Sequence, residues 1–249
     1  MLLVAEIGLN HDGHWDRARE MIRQASIAGA DVAKFQFGWR SGPGEINEMD
    51  FSRAEQLQGW CEEAGIELMA SLFTEQALDW ARRLGLPRYK MASRTVADRP
   101  ELCRKILEDG KPTYVSLGMW GAPEFPFGPP DGQRLFYIYC RSKYPAALSD
   151  LTGFPDRFEE TGYYGYSDHC LDLSACFLAI ARGARYLEKH FTLDKRSTVI
   201  RDHALSATPE EFRRLATQGR ELARAAREIQ GEIPRPAGLG MTGSVEIQA

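Results

Sequence analysis

Short apolar runs alternate with amphipathic stretches along most of the chain. The runs Leu2–Ile7, Asp31–Gln36, Glu67–Ser71, Arg88–Met91, Pro112–Ser116, Leu135–Cys140, Tyr163–Ser167 and Arg185–His190 read as strands. Their near-continuous apolar character suits parallel strands covered on the outside by helices. Between them, Trp15–Ala28 places apolar residues at helical spacing and stops before Gly29. Ser52–Ala64 opens on Ser52 with Glu55 three residues later, a capping-box pattern, and closes on Gly65. Thr74–Leu84, Arg99–Glu108, Leu173–Ala181 and Pro209–Ile229 also read as helices, with Pro209 at the first turn after Thr208, where proline is tolerated. Strands alternating with helices in this way predict an α/β fold, a single (β/α)₈ TIM barrel, for which 249 residues is an ordinary length.

One repeat breaks the pattern. Trp120–Gln133 reads WGAPEFPFGPPDGQ, with four prolines and three glycines. Proline removes helical donors and clashes with the preceding turn, so a loop is expected in place of the fifth outer helix. A loop or a neighbouring subunit must then cover apolar strand surface, which leaves a homo-oligomer open. The barrel is expected over residues 1–230. Residues 231–249, with Pro234-Arg235-Pro236 and Gly238-Leu239-Gly240, are expected to form an irregular tail too short for a second domain.

Composition narrows the function. Hydrophobic residues at 43% and charged residues at 27% fit a globular protein. A net charge of −4 offers no bulk attraction to nucleic acid or an anionic membrane. The sequence contains no apolar stretch of membrane-spanning length, and Met1–Glu6 turns acidic too soon for a secretion signal. Five cysteines without a CxxC pair read as free thiols. These features together predict a cytoplasmic protein.

The strand ends carry the chemistry. His169 and His190 lie 21 residues apart, one strand-helix-strand repeat, at the ends of neighbouring strands. A parallel barrel delivers both imidazoles to the rim where such folds build active sites, making them a candidate metal site. Lys34 and Lys90, ringed by Ser71, Ser93, Ser116 and Ser167, would suit a phosphate or carboxylate. Strand 1 adds Glu6, strand 7 adds Asp168, and strand 8 adds Glu188 and Lys189. The plainer readings stand beside these. The histidines could be hydrogen-bonded core residues, the lysines structural ion pairs with Glu6 as a partner, and the serines helix caps. His11 and His14 read as surface or helix-entry residues, and His203 as either loop structure or an acceptor contact.

The segments AEIGLNH (Ala5–His11), AGADVAKFQ (Ala28–Gln36), LPRYKMAS (Leu86–Ser93), KPTYVSLGM (Lys111–Met119), YCRSKYPA (Tyr139–Ala146), GYSDH (Gly165–His169) and EKHFTLDK (Glu188–Lys195) follow in order. Together they resemble the catalytic barrel of the N-acetylneuraminate (sialic acid) synthase family over about residues 3–230. The resemblance implies condensation of phosphoenolpyruvate with the aldehyde of an open-chain amino sugar, releasing phosphate and a 2-keto sugar acid. It implies a divalent ion, Mn²⁺ or Mg²⁺, on His169 and His190. It further implies phosphoenolpyruvate contacts from Lys34, Ser71, Lys90, Ser93, Ser116, Ser142 and Ser167. Glu6 would have acid/base or water-orienting duty, and Tyr144 and Asp202 would contact the sugar.

The sequence departs from the family pattern on the sugar side. The usual Ala-Ser-Gly-Glu is Ala92-Ser93-Arg94-Thr95, which removes a carboxylate and adds a cation. Arg94 could pair with an acidic or phosphorylated acceptor, or with a neighbouring Glu. The segment Phe37–Phe51 is short, Ser142 replaces an asparagine, and the family's C-terminal antifreeze-like domain is expected to be lacking. A different, non-sialic aldehyde and a non-catalytic phosphoenolpyruvate-binding subunit are the alternatives.

Overall fold

Parallel strands close into a ring because each buries both faces, one on the barrel axis and one under the outer helices. In a computed structural model of the protein, which describes residues 1–232, the strands are β1 (Leu2–Glu6), β2 (Val32–Phe37), β3 (Glu67–Leu72), β4 (Tyr89–Met91), β5 (Thr113–Ser116), β6 (Leu135–Cys140), β7 (Tyr163–Asp168) and β8 (Tyr186–His190). They form a closed parallel barrel in sequence order, β8 pairing with β1. The predicted TIM barrel is therefore the fold, with strand ends within a residue of expectation. Among the described residues no helix is long and apolar enough to cross a membrane.

The helices are α1 (Trp15–Ile27), α2 (Phe51–Ala64), α3 (Glu75–Arg83), α4 (Ser93–Asp98), α5 (Pro100–Glu108), α6 (Ser174–Ala181) and α7 (Pro209–Glu232). Two details correct the sequence reading. The α2 cap is Asp50, whose carboxylate accepts from the Arg53 N–H, and not Ser52. The short α4 was not expected. Gly65 does end α2, with φ +66, as a left-handed C-cap requires. Helix α7 runs three residues past Ile229, and the tail beyond Glu232 lies outside the described residues.

The fifth outer helix is absent, as expected, and β6 too is followed only by 3₁₀ turns, at Leu148–Asp150 and Phe158–Glu160. The Pro/Gly-rich loop covers its own gap. Phe125 stacks on Tyr137 with centroids 4.2 Å apart and planes at 10°. Tyr137 Oη donates to the Gly128 carbonyl (2.8 Å) and accepts from the Phe127 N–H (3.1 Å). One aromatic ring thus seals apolar surface that a helix covers in other repeats.

Inside the barrel, chemistry changes with height. The lower axis is apolar: Val4, Val32, Met69, Tyr114, Phe136, Ile138 and Tyr186 form one buried cluster. Tyr114 stacks on both Tyr186 (4.6 Å) and Phe136 (5.2 Å). Side chains alternate along a strand, so the inward residues two positions on are Glu6, Lys34, Ser71, Ser116, Cys140 and Glu188. The apolar plug is the floor on which these polar groups stand. Phe125→Ala should lower stability by about 2 kcal/mol, a half-buried aromatic deletion. Urea unfolding checks this, and unchanged stability would mean that the loop does not seal the sheet.

Candidate active site

Strand alternation gathers the predicted residues. Glu6, Lys34, Ser71, Lys90, Ser93, Ser116, Ser142, Tyr144, Ser167, His169, His190 and Asp202 all line one cavity of about 370 Å³ at the carboxyl ends of the strands. A neighbouring concavity of about 590 Å³, between the loops after β1 and β8, contains none of them.

Ion pairing organises the cavity floor. Lys34 Nζ lies 2.5 Å from Glu6 Oε2 and 3.6 Å from Glu188 Oε2, and donates to Ser71 Oγ (3.0 Å). Burial alone would lower the Lys34 pKa, but Glu188 and Glu6 override it and raise it. Glu188 in turn accepts from Ser167 Oγ (2.8 Å) and from the Tyr186 hydroxyl. Burial acts to raise its pKa, yet Lys34 and Lys90 hold it below the usual carboxylate range. Gln36 Nε2 donates to Glu6 Oε1 (2.7 Å), fixing that carboxylate. Glu6 is therefore a partner of Lys34, as the plainer reading had it, while still facing the cavity. The part of Glu188 was missed by the sequence reading. It shares inward parity with His190 two residues on, and that was the available signal.

Lys90 is placed differently. Its ammonium donates to Ser116 Oγ (2.6 Å) and the Met91 carbonyl (3.1 Å). Among the described residues no carboxylate lies within ion-pairing distance of it. Burial lowers its pKa, and Lys34 adds to that, against Glu188. A buried ammonium without a direct counter-charge is a place for an anion to bind. Beside it, Ser93 Oγ accepts from the Gly118 N–H (2.9 Å) and sits 3.2 Å from Cys140 Sγ. Ser93 therefore caps no helix; α4 has no side-chain cap. A Cβ on Gly118 would fall 2.6 Å from Cys140 Sγ and 2.7 Å from Ser142 Oγ, so only glycine lets this wall approach the serines. Burial raises the Cys140 thiol pKa, which disfavours the thiolate form.

The two imidazoles face each other with centroids 5.5 Å apart. His169 Nδ1 is 2.6 Å from the Arg141 carbonyl, which makes Nδ1 the proton carrier and leaves Nε2 with a free lone pair. Burial, helped by His190, lowers the His169 pKa to about 4, so the ring is neutral near pH 7. His190 Nδ1 is buried with no hydrogen-bond partner. Tyr144 packs on His169 at 4.2 Å, and Arg201 lies 4.4 Å over the Tyr144 ring beside Asp202. Among the described residues no cluster of three His, Cys, Asp or Glu side chains could hold an ion unaided.

The residues next to the histidines face the other way. Asp168 and Lys189 are register neighbours on the outer face of β7 and β8, joined at 2.6 Å and almost wholly buried. Asp168 also accepts from Tyr166 Oη (2.6 Å) and the Cys170 N–H (3.0 Å). The sequence reading grouped both with the strand-end chemistry. Parity removes them from the cavity and makes them its support. His11 takes the helix-entry role of the two expected, buried and stacked at 4.5 Å on Trp15, the first residue of α1. His203 belongs to loop structure, bound to Asp12 (2.8 Å) and Thr192 (2.7 Å). Arg94 lines the cavity, and its ion-pair partner is Asp98 at 3.6 Å rather than a Glu.

A parallel barrel with lysines, serines and two imidazoles at one mouth is the architecture of an enzyme acting on small anionic substrates. Comparison with known proteins sharpens this. The model of the NeuB family matches residues 45–230, and the chain belongs to that family. It is 31% identical over 255 residues to N-acetylneuraminate-9-phosphate synthase of Homo sapiens, covering 90% of this chain and 70% of that protein. It is 29% identical over 257 residues to N,N'-diacetyllegionaminic acid synthase of Legionella pneumophila, covering 88% and 71%. The N-acetylneuraminic acid (sialic acid) synthetase of Leptospira borgpetersenii, solved with citrate, superposes with a TM-score of 0.78 at 25% identity, over 100% of this chain and 87% of that one. The expected resemblance to sialic acid synthases holds, and with it the enzyme class, a phosphoenolpyruvate-dependent condensing synthase.

Removing one member of the Asp168–Lys189 pair strands a buried charge. Lys189→Met or Asp168→Asn should each cost about 3–5 kcal/mol, and the double variant should recover part of that. Equilibrium unfolding of the three variants measures it. Additive losses would show that the two groups are not coupled.

Proposed function

We propose that this cavity joins phosphoenolpyruvate to the aldehyde of an open-chain amino sugar, giving a sialic-acid-like 2-keto sugar acid. The observation that supports this most is the shared cavity: an ammonium–hydroxyl cradle around Lys90 and the His169–His190 imidazole pair open onto the same space. Phosphate and carboxylate oxygens of phosphoenolpyruvate would lie against Lys34, Lys90 and the hydroxyls of Ser71, Ser93, Ser116, Ser142 and Ser167. Tyr144 and Asp202 would hold the sugar chain. In the balanced reaction, the enol C3 bonds to the aldehyde carbon and the aldehyde oxygen gains a proton. One water adds to C2, and the bond from C2 to the phosphate oxygen breaks. Glu6, which contacts Gln36 and Lys34, would hold or move the proton of that water.

His169 and His190 fit a divalent ion, Mn²⁺ or Mg²⁺. One imidazole is set with Nε2 as a lone pair, and the other has a buried nitrogen without a partner. Water and substrate oxygens would complete the ligand set. When bound, the ion supplies Lewis acidity toward the aldehyde. We assign the whole activity to one domain over residues 1–230. Five free, buried cysteines favour a reducing, cytoplasmic setting. The alternative acceptor, a non-sialic aldehyde, rests on Arg94 alone, which lines the cavity. Thr95 is buried and turned toward the Leu72 carbonyl, not into the cavity.

Phosphate release from phosphoenolpyruvate should require both an amino-sugar aldehyde and Mn²⁺ or Mg²⁺, and stop with chelator. His169→Ala and His190→Ala should each lower it about 10³-fold, the loss of several kcal/mol of Lewis-acid assistance. Undiminished turnover in chelator would end the metal role, and phosphoenolpyruvate binding without turnover of any aldehyde would favour a binding subunit.

Lys90 sets a pH dependence. Its pKa is lowered from 10.5, and only the protonated form attracts an anion. Phosphoenolpyruvate affinity should therefore be full below the lowered pKa and fall as pH rises through it, earlier than an ordinary lysine would allow. Titration calorimetry across the alkaline range, with Lys90→Met as the control lacking the step, checks this.

A further inference from the structure

We infer that the sugar acceptor carries an anionic group, phosphate or carboxylate, at the end remote from its aldehyde, and that Arg94 binds it. The inference rests on the condensation reading and names the acceptor class for the same cavity.

The argument starts from barrel topology. The strands close in sequence order, so β4 lies diametrically across the mouth from β8. His190 ends β8 and Arg94 follows β4. An extended molecule with its aldehyde at the imidazole pair that crosses the mouth reaches the β4 side. Arg94 and Trp39 both line the cavity there. Trp39 packs on Phe73 at 5.2 Å, and the Arg94 guanidinium lies 5.7 Å over the Trp39 ring. An indole face beside a guanidinium suits the carbon backbone of a sugar followed by an anion.

Charge allocation points the same way. Lys34 is matched by Glu6 and Glu188, Lys90 awaits the phosphoenolpyruvate anion, and Arg201 has Asp202 at 3.4 Å. Arg94 has only Asp98, one helical turn away at 3.6 Å. That pair is about half exposed on both sides (53% and 54%), so it is weak and readily exchanged. Among the described residues the Arg94 guanidinium makes no hydrogen bond to protein, leaving its donor fork free for a two-point contact with phosphate or carboxylate.

The test compares N-acetylhexosamines, their 6-phosphates and the matching hexuronic acids as acceptors with phosphoenolpyruvate and Mn²⁺. The wild-type protein should favour one anionic set, and phosphate against carboxylate separates the two sources of charge. Arg94→Ala should reduce the anionic-to-neutral ratio of kcat/KM about 10- to 100-fold, the loss of a charged hydrogen-bonded pair. Arg94→Lys should keep part of the preference, and Arg94→Glu should reverse it. A wild-type preference for neutral acceptors, or an equal loss on both sets in Arg94→Ala, overturns the inference while leaving the condensation intact. A second arm needs no turnover. The aldehyde-free N-acetylhexosaminitol 6-phosphate is titrated calorimetrically with the deep cradle saturated by inorganic phosphate. Binding that Arg94→Ala abolishes supports the inference even if no aldehyde condenses; no binding, or binding indifferent to Arg94, counts against it.

Discussion

The contact between Asp168 and Lys189 fixes the geometry of everything above it. Each is the outward residue immediately before an inward histidine, on adjacent strands in register. A carboxylate and an ammonium buried between sheet and helices cannot separate without leaving two uncompensated charges in an apolar layer. They therefore pin the ends of β7 and β8 to each other, and the imidazoles inherit that spacing. Tyr166, Cys170 and Cys176 saturate the remaining valences of Asp168, so the pair has one arrangement available to it.

The cavity uses the opposite arrangement. There Lys34 holds both direct carboxylate contacts of the floor, to Glu6 and Glu188, while Lys90 has hydroxyl and carbonyl partners only. The buried outer pair Asp168–Lys189 is matched ion to ion, whereas inside the barrel Lys90 has no ion-pair partner among the described residues. That contrast marks a ligand site more clearly than the number of polar residues does.

Much of this was legible in the sequence, for identifiable reasons. Buried parallel strands leave nearly unbroken apolar runs, so all eight were located. The Pro/Gly-rich segment excluded a helix by its own chemistry. The cavity residues were found because alternation from a strand end is rigid, and the family motifs fall on those ends. The misses have equally local causes. Asp50 and Ser52 both suit a cap, and only the geometry chooses between them. The α4 helix is six residues of mixed polarity, too short for periodicity to reveal. Asp168 and Lys189 adjoin the histidines in sequence, and adjacency was given more weight than parity. Glu188 was noted as a strand-end residue but given no part in the site, since its contacts with Lys34 and Tyr186 come from barrel closure rather than from any local motif.

The aromatic floor of Tyr114, Phe136 and Tyr186 makes the barrel a blind well with a single doorway. If a small anion settles at the level of Lys90 and a longer molecule lies across the rim, the floor makes the first enter before the second and leave after it.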